Sequence, residues 1–512
     1  MGSIAHARQE DRPIPLTDVN RSDLDGAIRL ACEAMARAFD HPDRGLPYFL
    51  ASAWPEPRFA FHPKWCEAHV SGRHLTALLE AESALGGGLD VAEAVSRHER
   101  GLFFAFSGEL PLPMNRATRG ASRPTVFVAH NVREGLHGLA SLVRYRNSER
   151  AMTMAADCID AVDRTWQPRS GWMIEQAPGG SEPDHLVSGL GRAIGPLVKL
   201  HRASGHPPAL ALAARIRDRL IDMDAFPADG SFAVEPLGTH VHSITSTMSG
   251  LAMLAHETAD RPLLDRVRAF VANGLWRIRD ELGWAIESLD AGADPDRGEG
   301  NTTGDIVETL LILARHGDES ALADAERIIR SHLLPSQLRD LSFVPRERTP
   351  VEGGDTIAVG RDRLRGLFGF PAPYGHLPAG SSDIGVNLDI VGGVTSSLCA
   401  ARAAASSIVD GIHRVDILVD HDTAELSVRA PAPLVEVTVT LHRHGSLDLR
   451  LGGTRVRVED PPLDQPIAFA VESVETRIAL RHHEDRLWAI LRGPDVVALS
   501  DRGTQFTFFA PV

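Results

Sequence analysis

The chain has 512 residues, 43% hydrophobic and 24% charged, which predicts an ordinary globular protein of two or three folding units. Its formal charge of −15 is spread along the sequence and argues against a nucleic-acid partner. No stretch approaches the ~18–20 unbroken apolar residues of a membrane span, so no membrane partner is expected either.

The N-terminus, MGSIAHARQEDRPIP, lacks the apolar core of a secretory signal, and residues 1–20 read as an extension of a cytoplasmic protein. Helical periodicity then recurs near 23–39, 64–85, 90–101, 129–146, 149–164, 185–203, 207–223, 242–257, 259–278, 304–316, 318–333 and 391–406. Short turns join several of these as antiparallel hairpins: Asn147-Ser148, Ser204-Gly205-His206 and Gly317-Asp318. Twelve helices in six hairpins predict a mainly α fold, an (α/α)6 toroid barrel over residues 21–410 that forms the catalytic domain. Such a toroid gathers the loops at one end around a central cleft. Beyond about 411 the period changes to two, in segments such as VDILVD, LVEVTVTLHR, RIALRH, LWAILRG and FTFFAPV. Residues 411–512 therefore predict a C-terminal antiparallel β-sandwich.

Cys32, Cys66, Cys158 and Cys399 lie far apart with no CxxC, which disfavours both a cysteine-rich zinc site and a disulfide scaffold. Walker-A, GxGxxG and HExxH motifs are missing, so no cofactor is expected. Candidate site residues come from polar runs at helix starts. In EGNTTGDIVETLLILARHGD, a helix beginning near Gly304 puts Asp305 in its first turn, as a cap or as an acid presented to the cleft. Asn301 and Thr303 beside it would bind sugar hydroxyls. Glu287, in GWAIESLD, would complete the carboxyl pair that glycoside hydrolysis needs. His240 and His242, in GTHVHSITSTMSG, read as pocket lining, as structural histidines, or as metal ligands wanting a third partner. His137 lies within a helix that borders either the lumen or the packing layer, and Tyr374 and His376 occupy a Gly/Pro-rich loop at the cleft mouth.

These stretches resemble the β-L-arabinofuranosidases of glycoside hydrolase family 127 and their relatives. THVHSITSTMSG is similar to that family's Gly-His-Ala-Val-Arg helix start, with His240 on its sugar-binding histidine. The spacing from GWAIES to GNTTGDIVETLLILAR resembles that from the family's acid/base glutamate to its Glu-Thr-Cys motif. RLWAILRGPDVVALS and HPKWCEAH are similar to its Val-Ala-Leu-Gln-Arg-Gly-Pro strand and Lys-Trp-Leu-Glu-Ala helix. The resemblance implies an (α/α)6 barrel with β-sandwich domains. It puts Glu287 at the acid/base position, Thr303 at a metal-ligand glutamate and Asp305 at the first zinc-binding cysteine. The family's Cys-Cys-Pro-Pro-Asn motif falls near DIVGGVTSS, Asp389 to Ser397, which has no thiol. Hence no metal is expected there.

The reading is a glycosidase for a small glycoside or oligosaccharide, furanosides included. Glu287 is the protonated acid/base, and Asp305 the anionic nucleophile or base. His137, His240, His242, Asn301, Thr303, Tyr374 and His376 bind substrate. A sugar epimerase with paired histidines, or a non-catalytic carbohydrate-binding relative, are the alternatives. The oligomeric state is open, a homodimer included.

Overall fold

The computed structural model describes residues 24–40, 42–175, 185–279, 285–290, 299–334, 336–339, 341, 344–346, 354–368, 384–403 and nine strands between 414 and 500. The helices are α1 (Leu24–Ala36), α2 (Ser71–Leu85), α3 (Ala92–Ala105), α4 (Val132–Arg146), α5 (Glu149–Thr165), α6 (Ile194–Ser204), α7 (Pro207–Asp222), the single turn α8 (Val234–Leu237), α9 (Val241–Thr258), α10 (Arg261–Ala272), α11 (Gly300–Arg315), α12 (Glu319–Ile328) and α13 (Leu388–Ala403).

Two burial patterns sort them. In α5 the buried residues Ala151, Ala155, Cys158, Ile159 and Val162 form one stripe, as on a helix with one face to solvent. In α9 every residue from Val241 to Ala255 is buried, although serine and threonine recur through it, so this helix is surrounded. Helices α2, α4, α6, α9, α11 and α13 are the enclosed set. Each packs on the next, and α13 returns to α2, which closes a ring. Outside the ring, α3, α5, α7, α10 and α12 each back the inner helix that precedes them, and α1 backs α13. The chain thus enters on an outer helix and closes the toroid with its last inner one. A small antiparallel sheet (Leu50–Trp54, Arg58–Ala60, Thr356–Ala358 and Ile384–Asn387) ties the two ends of this circuit together, and Leu388 N donates to Phe49 O at 2.7 Å.

The turns are built as their residues require. Asn147 ends α4 in the left-handed region (φ 50), and Ser148 caps α5 by accepting from Ala151 N at 3.2 Å. Gly205 and Gly317 take φ of 69° and 87° at the α6–α7 and α11–α12 hairpins. Inner helices approach closely through glycine: a Cβ on Gly72 of α2 would lie 1.9 Å from the Glu134 carbonyl oxygen of α4.

Several boundaries differ from the sequence reading, among them two that bear on the site. Helix α11 starts at Gly300, not Gly304, so Asp305 lies in its second turn and is no cap. Helix α6 starts at Ile194 rather than 185, after a 3-10 turn over Leu190–Ala193 where Gly189 and Gly191 interrupt the helical path. The ninth strand is Val496–Ser500, and FTFFAPV lies outside the described residues.

The C-terminal strands form two antiparallel meanders. Five strands run from Arg414–Val419 to Thr454–Val458 and four from Pro466–Val471 to Val496–Ser500. Among the described residues no helix is long and apolar enough to cross a membrane.

Candidate functional site

Because the inner helices all run the same way, their six N-termini converge on one end of the ring. Nearly every buried charge of the lumen sits there. The segment before α2 supplies His69, and α2 supplies Arg73. Arg133 and Glu134 begin α4, Arg192 precedes α6, and His240 and His242 open α9. Asn301 and Asp305 come from α11 and Asp389 from α13. All but His240 are more than nine-tenths buried.

A hydrogen-bonded network fixes them. Glu134 Oε1 accepts from Arg133 Nη1 and Arg192 Nη2, both at 3.0 Å. Arg133 Nη2 donates to Asp305 Oδ1 at 3.0 Å, and His242 Nε2 lies 3.3 Å from Asp305 Oδ2. Arg73 Nη2 donates to Asn301 Oδ1 at 3.0 Å. Asn301 Nδ2 in turn donates to Glu299 Oε1 at 3.1 Å and to Asp389 Oδ2 at 2.8 Å. His69 Nε2 closes on Asp389 Oδ2 at 3.2 Å. Above this layer, Trp65 packs edge-on against His69 and His130, whose rings stack 5.4 Å apart, and His130 touches His240 at 5.3 Å. Trp65 and His240 are half-buried, as a cleft rim would be.

The carboxyl groups are electrostatically unlike one another. Burial pushes Glu299 up to about 8, and the charges of Glu287 and Asp389 add to that shift. Burial also raises Asp305 to about 6, partly offset by Arg133. Asp389 feels the same burial, but His69, Arg73 and the Asn301 amide outweigh it and hold the carboxyl below its usual range. Glu134 is likewise held well below, with Arg192 the strongest of the charges opposing its burial. Burial pushes His130 and His242 well down and His240 to about 4, reinforced by Arg192, so these imidazoles are neutral at pH 7.

The sequence-derived candidates fare unevenly. His240, His242, Asn301 and Asp305 meet in the network. Glu287 is half-buried beside it, on the segment whose backbone pairs with the start of α9 (Val241 N to Glu287 O, 3.2 Å). His137 is buried one turn along α4 from Glu134, with its Nδ1 unpartnered among the described residues. Thr303 is grouped elsewhere: His332 Nδ1 lies 2.8 Å from its Oγ1, between α11 and the turn Ile329–Leu333. Tyr374 and His376 lie outside the described residues. Asp305, buried rather than exposed at a helix end, is pushed up instead of down, yet at about 6 it is still mostly ionised at pH 7, and the carboxyl pushed above 7 is Glu299.

The sequence reading missed Glu299, Asp389, His69, Arg73, Arg133, Glu134, Arg192 and Trp65. Their shared signal is a charged or polar residue beside small ones at the start of an otherwise apolar helix, as in NVREG, LDIVGG and VSGR.

The zinc that the arabinofuranosidase resemblance implies does not fit these residues. Thr303 is engaged by His332, and Asp305 carries a guanidinium on one oxygen. Among the described residues no three His, Cys, Asp or Glu side chains gather as metal ligands. All four cysteines are buried and unpaired.

No protein-family model matches the chain, and no curated protein matches it by sequence. Solved structures do match its fold. An unsaturated glucuronyl hydrolase specific for heparin is 11% identical with a TM-score of 0.51, over 76% of this chain and 98% of that one. A sugar epimerase from a ruminal bacterium is 13% identical with a TM-score of 0.50, over 74% and 99%. The unsaturated glucuronyl hydrolase of Bacillus sp. GL1, responsible for the degradation of glycosaminoglycan, is 13% identical with a TM-score of 0.50, over 75% and 97%. The helical domain of this chain therefore shares the (α/α)6 toroid fold of these three proteins.

Proposed function

We propose that the chain is a carbohydrate-active enzyme, specifically a glycoside hydrolase whose acid–base work is divided between Glu299 and Asp389. One observation carries this reading: a single amide nitrogen, Asn301 Nδ2, holds an oxygen of each carboxyl, at 3.1 and 2.8 Å. Two acceptors on one planar NH2 group lie about 5 Å apart. One of these carboxyls is raised to about 8 and the other held low, the asymmetry that separates a proton donor from an anion. Glu299 would protonate the leaving glycosidic oxygen. Asp389, whose Oδ1 has no hydrogen-bond partner among the described residues, would attack the anomeric carbon. The spacing is that of retaining glycosidases. The toroid shared with two glucuronyl hydrolases supports a saccharide-cleaving role.

Within this reading Glu287 helps keep Glu299 protonated, and Asp305 orients His242 and Arg133 beneath the reacting groups. The two C-terminal meanders pack as a sandwich, and the domain boundary lies near residue 411. Cytoplasmic location and a small glycoside substrate, furanosides included, remain part of the proposal. Epimerisation is the weaker reading: His240 is in ring contact with His130 and leaves no room for a sugar between them.

The test is a screen of aryl furanosides and pyranosides with the unaltered protein and with Asp389→Asn. Turnover of at least one class, reduced by several orders of magnitude in the variant, is expected. Binding of glycosides without any turnover would favour the non-catalytic relative instead.

A further inference from the structure

Three guanidinium groups are buried together at the inner helix N-termini, and two of them have carboxylates of their own. Arg133 touches Glu134 and Asp305, and Arg192 touches Glu134, at 3.0 Å each. Arg73 is as buried, at 6% exposure, yet no carboxylate among the described residues lies within ion-pair distance of it. Its hydrogen bonds there run from Nη2 alone, to Asn301 Oδ1 at 3.0 Å and to the His242 ring at 3.3 Å. Its Nε is buried without an acceptor among the described residues. Burial and the neighbouring Arg133 push its pKa down, so the charge is held at a cost.

An enclosed cation with unused donors is costly unless something anionic completes it. The charges of Glu134, Asp305 and Asp389 act on Arg73 from beyond ion-pair distance, but none of these carboxylates accepts a hydrogen bond from it among the described residues. The convergent helix N-termini add further positive potential to the same place. Space for the arrangement is made by glycine: a Cβ on Gly393 of α13 would lie 2.8 Å from Arg73 Nη2 and 1.8 Å from Asn301 Oδ1.

We propose that Arg73 recognises a carboxylate on the sugar ring, which makes the substrate a uronic-acid glycoside rather than a neutral one. The inference rests on the hydrolase reading of the same lumen. Through Asn301, Arg73 stands two hydrogen bonds from both Glu299 and Asp389, so an anion bound there lies near the bond to be broken. Charge-assisted hydrogen bonds of this kind are roughly twice as strong as neutral ones.

Calorimetric titration of the full chain with glucuronate, galacturonate, glucose, galactose and their 6-sulfated forms tests this without requiring turnover. The expected result is binding of a uronate at least about tenfold tighter than its neutral counterpart, a preference lost in Arg73→Gln and partly kept in Arg73→Lys. The lysine variant keeps the charge and serves as the test if the glutamine variant does not fold. Equal or tighter binding of neutral sugars, or a preference that survives Arg73→Gln, overturns the proposal. Tighter binding of the sulfated sugars overturns the carboxylate assignment. The glycoside screen judges hydrolysis separately. Uronate preference without cleavage keeps the anion site and rejects the hydrolase, and cleavage of neutral glycosides without that preference does the reverse.

Discussion

Glu299→Gln is expected to lower turnover of glycosides with poor leaving groups by roughly 10²–10⁴-fold, the usual contribution of a positioned general acid. Glutamine keeps the shape of the side chain and an oxygen for Asn301 but cannot give up a proton. Substrates whose leaving group needs little protonation should lose much less, a split that a merely structural role would not produce. In the unaltered protein, activity should fall as pH rises through about 8, where Glu299 loses its proton, and the variant should lack that limb. Stability follows the same group. Its pKa is raised from 4.5 to about 8 in the folded state, so its contribution is fully present below about 4.5 and is lost as pH rises through about 8. Thermal melts from pH 5 to 9 should therefore show the variant losing less stability toward alkaline pH. A variant with unchanged pH–rate and pH–stability profiles would remove Glu299 from the mechanism.

The second large effect is structural. Glu134 is fully enclosed, and its Oε1 anchors Arg133 and Arg192 at once. Glu134→Ala leaves Arg192 among the described residues with only uncharged partners, the His130 carbonyl, the Ser246 hydroxyl and the His242 ring, and it opens a cavity beside Arg133 and Arg192. Breaking a buried pair by removing one partner costs about 3–5 kcal/mol, a large part of a typical domain's stability. Urea denaturation at pH 7 measures it. Glu134→Gln, which keeps volume and an acceptor oxygen, should fall between. The sign with pH is opposite to that of Glu299. The Glu134 carboxyl is held well below 4.5, so its contribution is present above that value and lost as pH falls. A loss under about 1 kcal/mol for the alanine variant would mean that water already screens these charges.

The toroid was legible because outer helices carry one apolar stripe and short turns carry Asn, Gly or Ser where the backbone needs them. The closure of α13 on α2 was not, since it joins residues more than 300 positions apart. The proposed Glu299–Asp389 pair was not legible for a related reason. GNTTGD looks like a loop because glycine and threonine are poor helix formers. In the fold those small residues let α11 lie against α13: a Cβ on Gly300 would lie 2.7 Å from Val394 Cγ2, and one on Gly304 2.5 Å from Ser397 Oγ. With the start of α11 moved back by one turn, Glu299 takes the position just before the helix and Asp305 falls in its second turn. Asp389 was hidden in DIVGGVTSS, where Gly393 likewise marks a close approach rather than a turn. The histidines at the start of α9 were recognisable as a polar pair, but their neutrality depends first on burial and then on Arg192, which no local pattern connects to them.

Trapping the glycosyl–enzyme intermediate tests the central claim most directly. The protein is incubated with a 2-deoxy-2-fluoro glycosyl fluoride of the sugar class that it turns over, then digested and mapped by mass spectrometry. A covalent adduct on Asp389, missing in Asp389→Asn and slow to form in Glu299→Gln, is the predicted result. An adduct on Asp305 or Glu287, or turnover with inversion and no adduct at all, would contradict the assignment of the Glu299–Asp389 pair.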